Sequence, residues 1–188
     1  FFTCLFKIEK ESVFPHSIKI SKFKNQIVLA NINKFFSALF QAKDAVEAQQ
    51  RYRMSLKEQL LRATALSYLV CMYIKEYSGK LSAFCGCGIA GGTGLACALA
   101  YLMGGDEASL DRACNNMAAS ITGMICTGGN HCCCLKVITA VDCAYNAAVL
   151  SVDNAAVAAP HGLCDHSVEK TLQNVGLIAD PGMVDTER

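Results

Sequence analysis

Leu81-Ser82-Ala83-Phe84-Cys85-Gly86-Cys87-Gly88-Ile89-Ala90-Gly91-Gly92-Thr93-Gly94-Leu95-Ala96-Cys97-Ala98-Leu99-Ala100-Tyr101-Leu102-Met103-Gly104-Gly105 runs for 25 residues without a charge. The stretch is long enough to cross a bilayer, but seven of its residues are glycine and large aliphatic side chains are few, so its insertion would be weak. It reads instead as a buried core helix over about 82–103, whose small residues let neighbouring helices approach closely. Glycine inside a helix costs about 1 kcal/mol relative to alanine. Gly86, Gly88, Gly91, Gly92 and Gly94 therefore call for close packing, or for a turn that faces a ligand. A phosphate loop is a poor match, because no strand precedes the glycines, no Lys-Ser/Thr follows, and the G-x-G-x-x-G spacing fails.

On either side of this core the pattern stays helical. Phe36, Leu39, Phe40 and Ala45 share a face within 35–50, and Ser55 with Glu58 forms a capping-box pattern ahead of a helix over about 56–77. Asp106 caps a helix running to about Ser120, residues 121–130 form a loop, and another helix runs from His131 to about Val152. Asp165 caps a last helix, which Asp180-Pro181-Gly182 stops near Ala179. Only Ser17 to Lys24 alternates as a short strand would. The fold expected is all-α: a helical bundle with glycine-rich core helices over 56–188, and a short irregular or β-like N-terminal segment over 1–55.

With 188 residues, 53% of them hydrophobic and 18% charged, the chain can bury a real core. Its net charge of +1 hides an asymmetry: residues 1–80 hold 13 Lys/Arg against 6 Asp/Glu, and residues 81–188 hold 4 against 10. The lysines are scattered rather than clustered, which argues against nucleic acid as a partner. Twelve cysteines would suit a disulfide framework in a short secreted chain, but the start lacks the features of a signal peptide and three consecutive cysteines staple poorly. A reducing, cytoplasmic setting without a membrane is expected.

Three of the cysteines stand where apolar, glycine-rich segments begin or break: Cys85, Cys126 and Cys133. Thiolates on flexible turns suit soft metals and iron–sulfur clusters. Zinc would want paired C-x₂₋₄-C or His spacings, which are absent. If helical, Cys132, Cys133 and Cys134 lie about 100° apart and cannot all face one site, and Cys85 and Cys87 point to nearly opposite sides. A lone helical cysteine is more often a small buried hydrophobe, the reading for Cys71, Cys97, Cys114 and Cys143. Residue chemistry alone leaves both a cluster and a plain core role open. Lys136, the only charge between Arg112 and Asp142, is a candidate catalytic base if burial lowers its pKa, and a snorkelling lysine otherwise.

Leu81 to Cys87, Gly123-Met124-Ile125-Cys126-Thr127-Gly128 and Cys133-Cys134-Leu135-Lys136 resemble the C-terminal helical region of the L-cysteine desulfidase family, which is related to the α chain of iron–sulfur-dependent L-serine dehydratase. His161-Gly162-Leu163-Cys164-Asp165, Val168-Glu169-Lys170-Thr171, Pro181-Gly182-Met183 and Thr186 continue the resemblance, which covers about residues 60–188. It implies an all-α domain whose Cys85, Cys126 and Cys133 hold a [4Fe–4S] cluster. Three thiolates leave one iron open as a Lewis acid for a small amino acid, L-cysteine or L-serine. Loss of the α-proton and of the β-substituent then yields aminoacrylate, which hydrolyses to pyruvate and ammonia without pyridoxal phosphate.

Family members are about twice this long, and residues 1–55 do not resemble their upstream part. Thr127 stands where the family has aspartate, Gly129-Asn130-His131-Cys132 is unusual, and no initiator methionine is present. A fragment or divergent copy keeping the cluster-binding half is therefore expected. It would act either as a lyase or as a non-catalytic helical module, in a homo-oligomer or paired with a missing N-terminal half.

Overall fold

The computed structural model describes the backbone of residues 45–187 and the side chains of residues 55–186. The strand expected over 17–24, the first part of the helix expected over 35–50, and Cys4 lie outside the described residues. The chain divides into two compact units, Phe1–Leu61 and Arg62–Arg188. Within the first, residues 45–61 are helical. The second unit is described below.

Five α-helices follow in order: α1 (Ala45–Ser78), α2 (Gly92–Leu102), α3 (Glu107–Ile121), α4 (Cys132–Val152) and α5 (Val168–Leu177). A π-helical turn, Cys87–Gly91, leads into α2. The described residues contain no strand, only two isolated bridges, Phe84↔Ile125 and His161↔Cys164. The described residues adopt the all-α fold expected from the sequence, and the expected irregular or β-like N-terminal segment lies largely outside them.

Small side chains make the core. Helices α2, α3 and α4 pack on one another, and the buried face of α4 is Val137, Ala140, Ala144, Ala147, Ala148 and Ser151. That three-and-four spacing is the stripe an amphipathic helix buries. A Cβ on Gly92 would stand 3.2 Å from the Ala140 Cβ and 3.1 Å from the Met117 Cε. At Gly94 a Cβ would collide with the Ser67 carbonyl oxygen on α1. The glycines of the uncharged stretch therefore bring α1 and α4 against α2. Phe84, Ile74, Ile89 and Met117 are fully buried between the smaller residues, each worth roughly 1.5–3 kcal/mol of transfer free energy.

Buried polar groups fasten the segments that connect the helices. Asn116 donates to the Ala155 carbonyl (3.1 Å) and accepts from the Val157 N–H (3.1 Å). The Thr171 hydroxyl donates to the Asn115 side-chain oxygen (2.8 Å) and accepts from the Asp165 N–H (2.9 Å). Tyr73 and Tyr77 on α1 both donate to the Glu169 carboxylate on α5.

Several boundaries differ from expectation, each for a local reason. α1 runs through Ser55 as ordinary helix, so the Ser55/Glu58 pattern caps nothing. The helix expected from residue 82 starts only after the π-turn, because Ala83 and Cys85 spend their backbone groups on pairing with residues 124–126. α2 ends at Gly104 (φ +88°), with the Gly104 N–H on the Tyr101 carbonyl and the Gly105 N–H on the Ala100 carbonyl, a Schellman closure that needs a left-handed residue. Asp106 caps α3 as expected, its carboxylate accepting from the Ser109 N–H at 2.9 Å. The cap position of α5 is Ser167, not Asp165, whose carboxylate accepts instead from the neighbouring His166 N–H.

One described helix, α4, is long and apolar enough by length and composition to cross a membrane. Its alanine face is packed into the bundle.

Candidate metal centre

Two short backbone segments, far apart in sequence, pair beside the core. Cys85 donates its N–H to the Met124 carbonyl and Cys126 donates its N–H to the Ala83 carbonyl, both at 2.7 Å, around the antiparallel Phe84↔Ile125 bridge. Phe84 anchors this bridge because its ring lies fully inside the core. Cys85 and Cys126 therefore each sit one residue beyond a bridge partner, Cys85 buried and Cys126 exposed.

The segment then turns back through Gly128, whose φ of +72° is a left-handed conformation that favours glycine. Asn130 ties the turn to the start of α4. Its amide donates to the Thr127 carbonyl (2.7 Å), and its side-chain oxygen accepts from the Cys132 N–H (2.9 Å), satisfying one of the free donors of the helix terminus. Cys133 follows in the first turn of α4, and its thiol donates to the Gly128 carbonyl at 3.2 Å. Around Cys85 the backbone curls so that the Gly88 N–H points at its sulfur, at 3.4 Å.

Cys87, exposed in the π-turn, is electrostatically coupled to these thiols. Burial raises its pKa first, and the neighbouring Cys85, Cys133 and Cys126 raise it further. Cys71 is likewise pushed up by burial, with Lys75 pulling the other way and Cys87 adding to the rise. Cys85 is not helical, so the helical phase argument does not apply to it, but the two differ as that argument expects, Cys85 buried and Cys87 exposed.

Two lysines lie beside these segments. The Lys75 ammonium lies 5.4 Å from the centre of the Phe84 ring, a cation–π distance, and a Cβ on Gly86 would stand 2.7 Å from it. Lys136 on α4 donates to the Ile125 carbonyl (2.5 Å) and to the Thr127 hydroxyl (2.9 Å). Sequence reasoning singled out Lys136 but missed Lys75 and Asn130. An ordinary helical lysine and a loop asparagine carry no signal until the chain is folded.

The remaining candidates lie in other roles. His131 is exposed at the cap position of α4 without a side-chain cap bond. His161 is exposed and pairs its backbone with Cys164, and His166 is an exposed loop residue. Cys97 and Cys114 face each other inside the core with sulfurs 3.4 Å apart.

A mononuclear ion needs three or more donors closing on one point, and no such His, Cys, Asp or Glu group exists among the described residues. A [4Fe–4S] cluster asks for something else, since each thiolate binds its own iron on a wider cage. The Cys85 turn, the Cys126 segment paired to it and the first turn of α4 each carry one thiol, the three-thiolate donor set that such a cluster takes. A glycine at 88 suits it as well, because a Cβ there would stand 3.4 Å from the Cys85 sulfur and 2.7 Å from the Met124 sulfur.

Comparison with known proteins agrees on the region. A UPF0597 protein of Clostridium botulinum is 47% identical over 131 residues, 70% of this chain and 31% of its own length. UPF0597 proteins of Parabacteroides distasonis and Clostridioides difficile are 42% identical over 132 residues and 41% over 130, each match covering 30% of the relative. The chain thus spans about a third of the length of these curated relatives. No solved structure matches it. The family model described as serine dehydratase alpha chain matches residues 44–188, from the start of α1 through all of the thiol-bearing turns, and the chain belongs to that family.

Proposed function

We propose that this chain is the cluster-binding part of a β-eliminating lyase that converts L-cysteine and water to pyruvate, ammonia and hydrogen sulfide. Cys85, Cys126 and Cys133 would hold a [4Fe–4S] cluster in a reducing, cytoplasmic setting. The observation that supports the reading is the pairing of the Cys85 and Cys126 segments across the Phe84↔Ile125 bridge, with the Cys133 thiol bonded to the Gly128 carbonyl of the turn that follows Cys126. When bound, a cluster held by three thiolates supplies a Lewis-acidic iron for the carboxylate and β-substituent of an amino acid.

The chain's own part is to hold three thiolates and keep them ordered. The Gly88 N–H aims at the Cys85 sulfur, and the Gly128 carbonyl takes the Cys133 thiol. Lys75 adds positive charge beside the Cys85 turn. The family's description favours a second reading, dehydration of L-serine to pyruvate and ammonia.

Anaerobic reconstitution with iron and sulfide, followed by iron counting, tests the cofactor. About four irons per chain are expected, lost in Cys85→Ser, Cys126→Ser and Cys133→Ser but kept in Cys143→Ser. Co-expression with the upstream part of a relative then tests turnover, with sulfide release from L-cysteine expected. Iron binding that survives all three substitutions would sink the ligand set, and pyruvate from serine alone would favour the second reading.

A further inference from the structure

We propose that Lys136 is a positioning residue that clamps the Cys126 segment onto α4 from both sides of Cys126 and so fixes the Cys126 and Cys133 thiols relative to each other. The inference rests on the cluster reading above and assigns the lysine a place in it.

Lys136 lies three residues after Cys133, so the two side chains are neighbours on one side of α4. From there its ammonium reaches the Ile125 carbonyl at 2.5 Å and the Thr127 hydroxyl at 2.9 Å. These acceptors belong to the residues immediately before and after Cys126. One cation thus straddles the thiol, and it starts from the same helical turn as the second thiol.

Neutral bonds, among them the Cys133 thiol on the Gly128 carbonyl, support the same register, and Lys136 adds the charged one. The Cys126 N–H on the Ala83 carbonyl fixes the segment to the Cys85 turn, not to α4. The Asn130 amide holds the Thr127 carbonyl while its oxygen takes the Cys132 N–H, a neutral tie from the same segment to α4 that the ammonium reinforces on both sides of Cys126. Between Arg112 and Asp142 there is no other charged side chain that could take over.

The clamp predicts effects on the cluster's environment as well as on its retention. A cation beside Cys126 favours the more negative, reduced state of a cluster, so its removal lowers the reduction potential. Charge-assisted bonds with solvent access are of modest strength, which sets a change of about threefold to tenfold in iron retention. Thr127→Asp replaces a neutral partner of the ammonium with a carboxylate, and the resulting ion pair tightens the clamp only while the lysine is present.

The test uses the whole chain with iron and sulfide as the probe, checking helical content throughout. Lys136→Met is expected to release iron to a chelator about threefold to tenfold faster than the parent, at a lower midpoint potential, and Lys136→Arg to restore part of both. Thr127→Asp is expected to slow release in the parent and to have no such effect in Lys136→Met. In the metal-free chain, the amides of residues 124–130 should exchange hydrogen faster in Lys136→Met and Thr127→Val than in the parent.

Unchanged iron release, potential and exchange in Lys136→Met would overturn the clamp. Normal iron release and potential with lost turnover in the full-length context would overturn it in favour of proton transfer. A parent chain that takes up no iron would sink the cluster reading itself. Exchange in the metal-free chain would still decide whether the clamp holds the segment, and unchanged exchange there would overturn it.

Discussion

Two groups of cysteines in one small domain lead opposite lives. Cys97 on α2 and Cys114 on α3 sit inside the core, their sulfurs 3.4 Å apart, and Cys97 also reaches the Leu110 carbonyl at 3.9 Å. Their mutual hydrogen bond and their burial hold the Cys97 thiol neutral, well above its ordinary pKa. Cys85 and Cys126 instead each stand one residue after a bridge partner, and Cys133 stands in the first turn of a helix. A thiol within a helix-packed face is one more small hydrophobe. A thiol at a place where the backbone changes course has a sulfur free to face a common space.

The contrast can be broken most forcefully from the core side. Gly94→Ala would drive a methyl group into the Ser67 backbone of α1, and overpacking at a rigid neighbour costs about 3 kcal/mol. A drop of that size in denaturant-derived stability is expected, whereas adding a Cβ at exposed Gly123, where nothing lies within 4 Å, should change stability little. Equal losses at both positions would mean that the glycines are not there for helix contact.

A sharper division pits the two groups against each other. Cys97→Ala should lower stability by about 1 kcal/mol and leave reconstituted iron intact. Cys126→Ser should leave chemical denaturation almost unmoved and abolish iron binding. If both substitutions removed stability and iron together, the separation into core and site thiols would fall.

The smallest effect concerns charge at the edge of the core. Hydrogen bonds from the Ser109 hydroxyl and N–H, with Arg112 nearby, hold the Asp106 carboxyl below its ordinary 3.8. A group depressed in the folded state adds stability that is present above its unfolded value and lost as pH falls through its folded value. Acid titration of thermal stability should therefore show a slightly shallower decline below about pH 4 in Asp106→Asn than in the parent. Identical acid limbs would remove the carboxylate from the cap.

What the sequence reveals follows the same division. Helix α3 is legible because Asp106 and the apolar spacing behind it act locally, and α4 because its run is long. The core role of Cys97 and Cys114 follows from their helical setting. The Phe84↔Ile125 bridge leaves no such trace, since a pairing one residue long has no period to detect and joins segments about forty positions apart. For the same reason the uncharged stretch reads as helix from residue 82, although its first residues pair instead. Ser55 fails as a cap because capping chemistry marks a helix start only where the preceding residues are not helical, and residues 45–54 are. Three cysteines at segment ends suggest a site, but the pairing of the Cys85 and Cys126 segments emerges only from the fold.

The Phe84↔Ile125 bridge carries one more consequence. The segment holding Cys126 leaves α3 after Ile121 and re-enters the bundle at Cys132, and both helices are anchored by the core. Between those points it touches the Cys85 turn through one pair of backbone bonds and α4 through a few polar contacts. Such a segment behaves as an exchangeable cassette. Its length and side chains can drift among relatives, or be rewritten by an engineer, while the bundle that presents it stays the same.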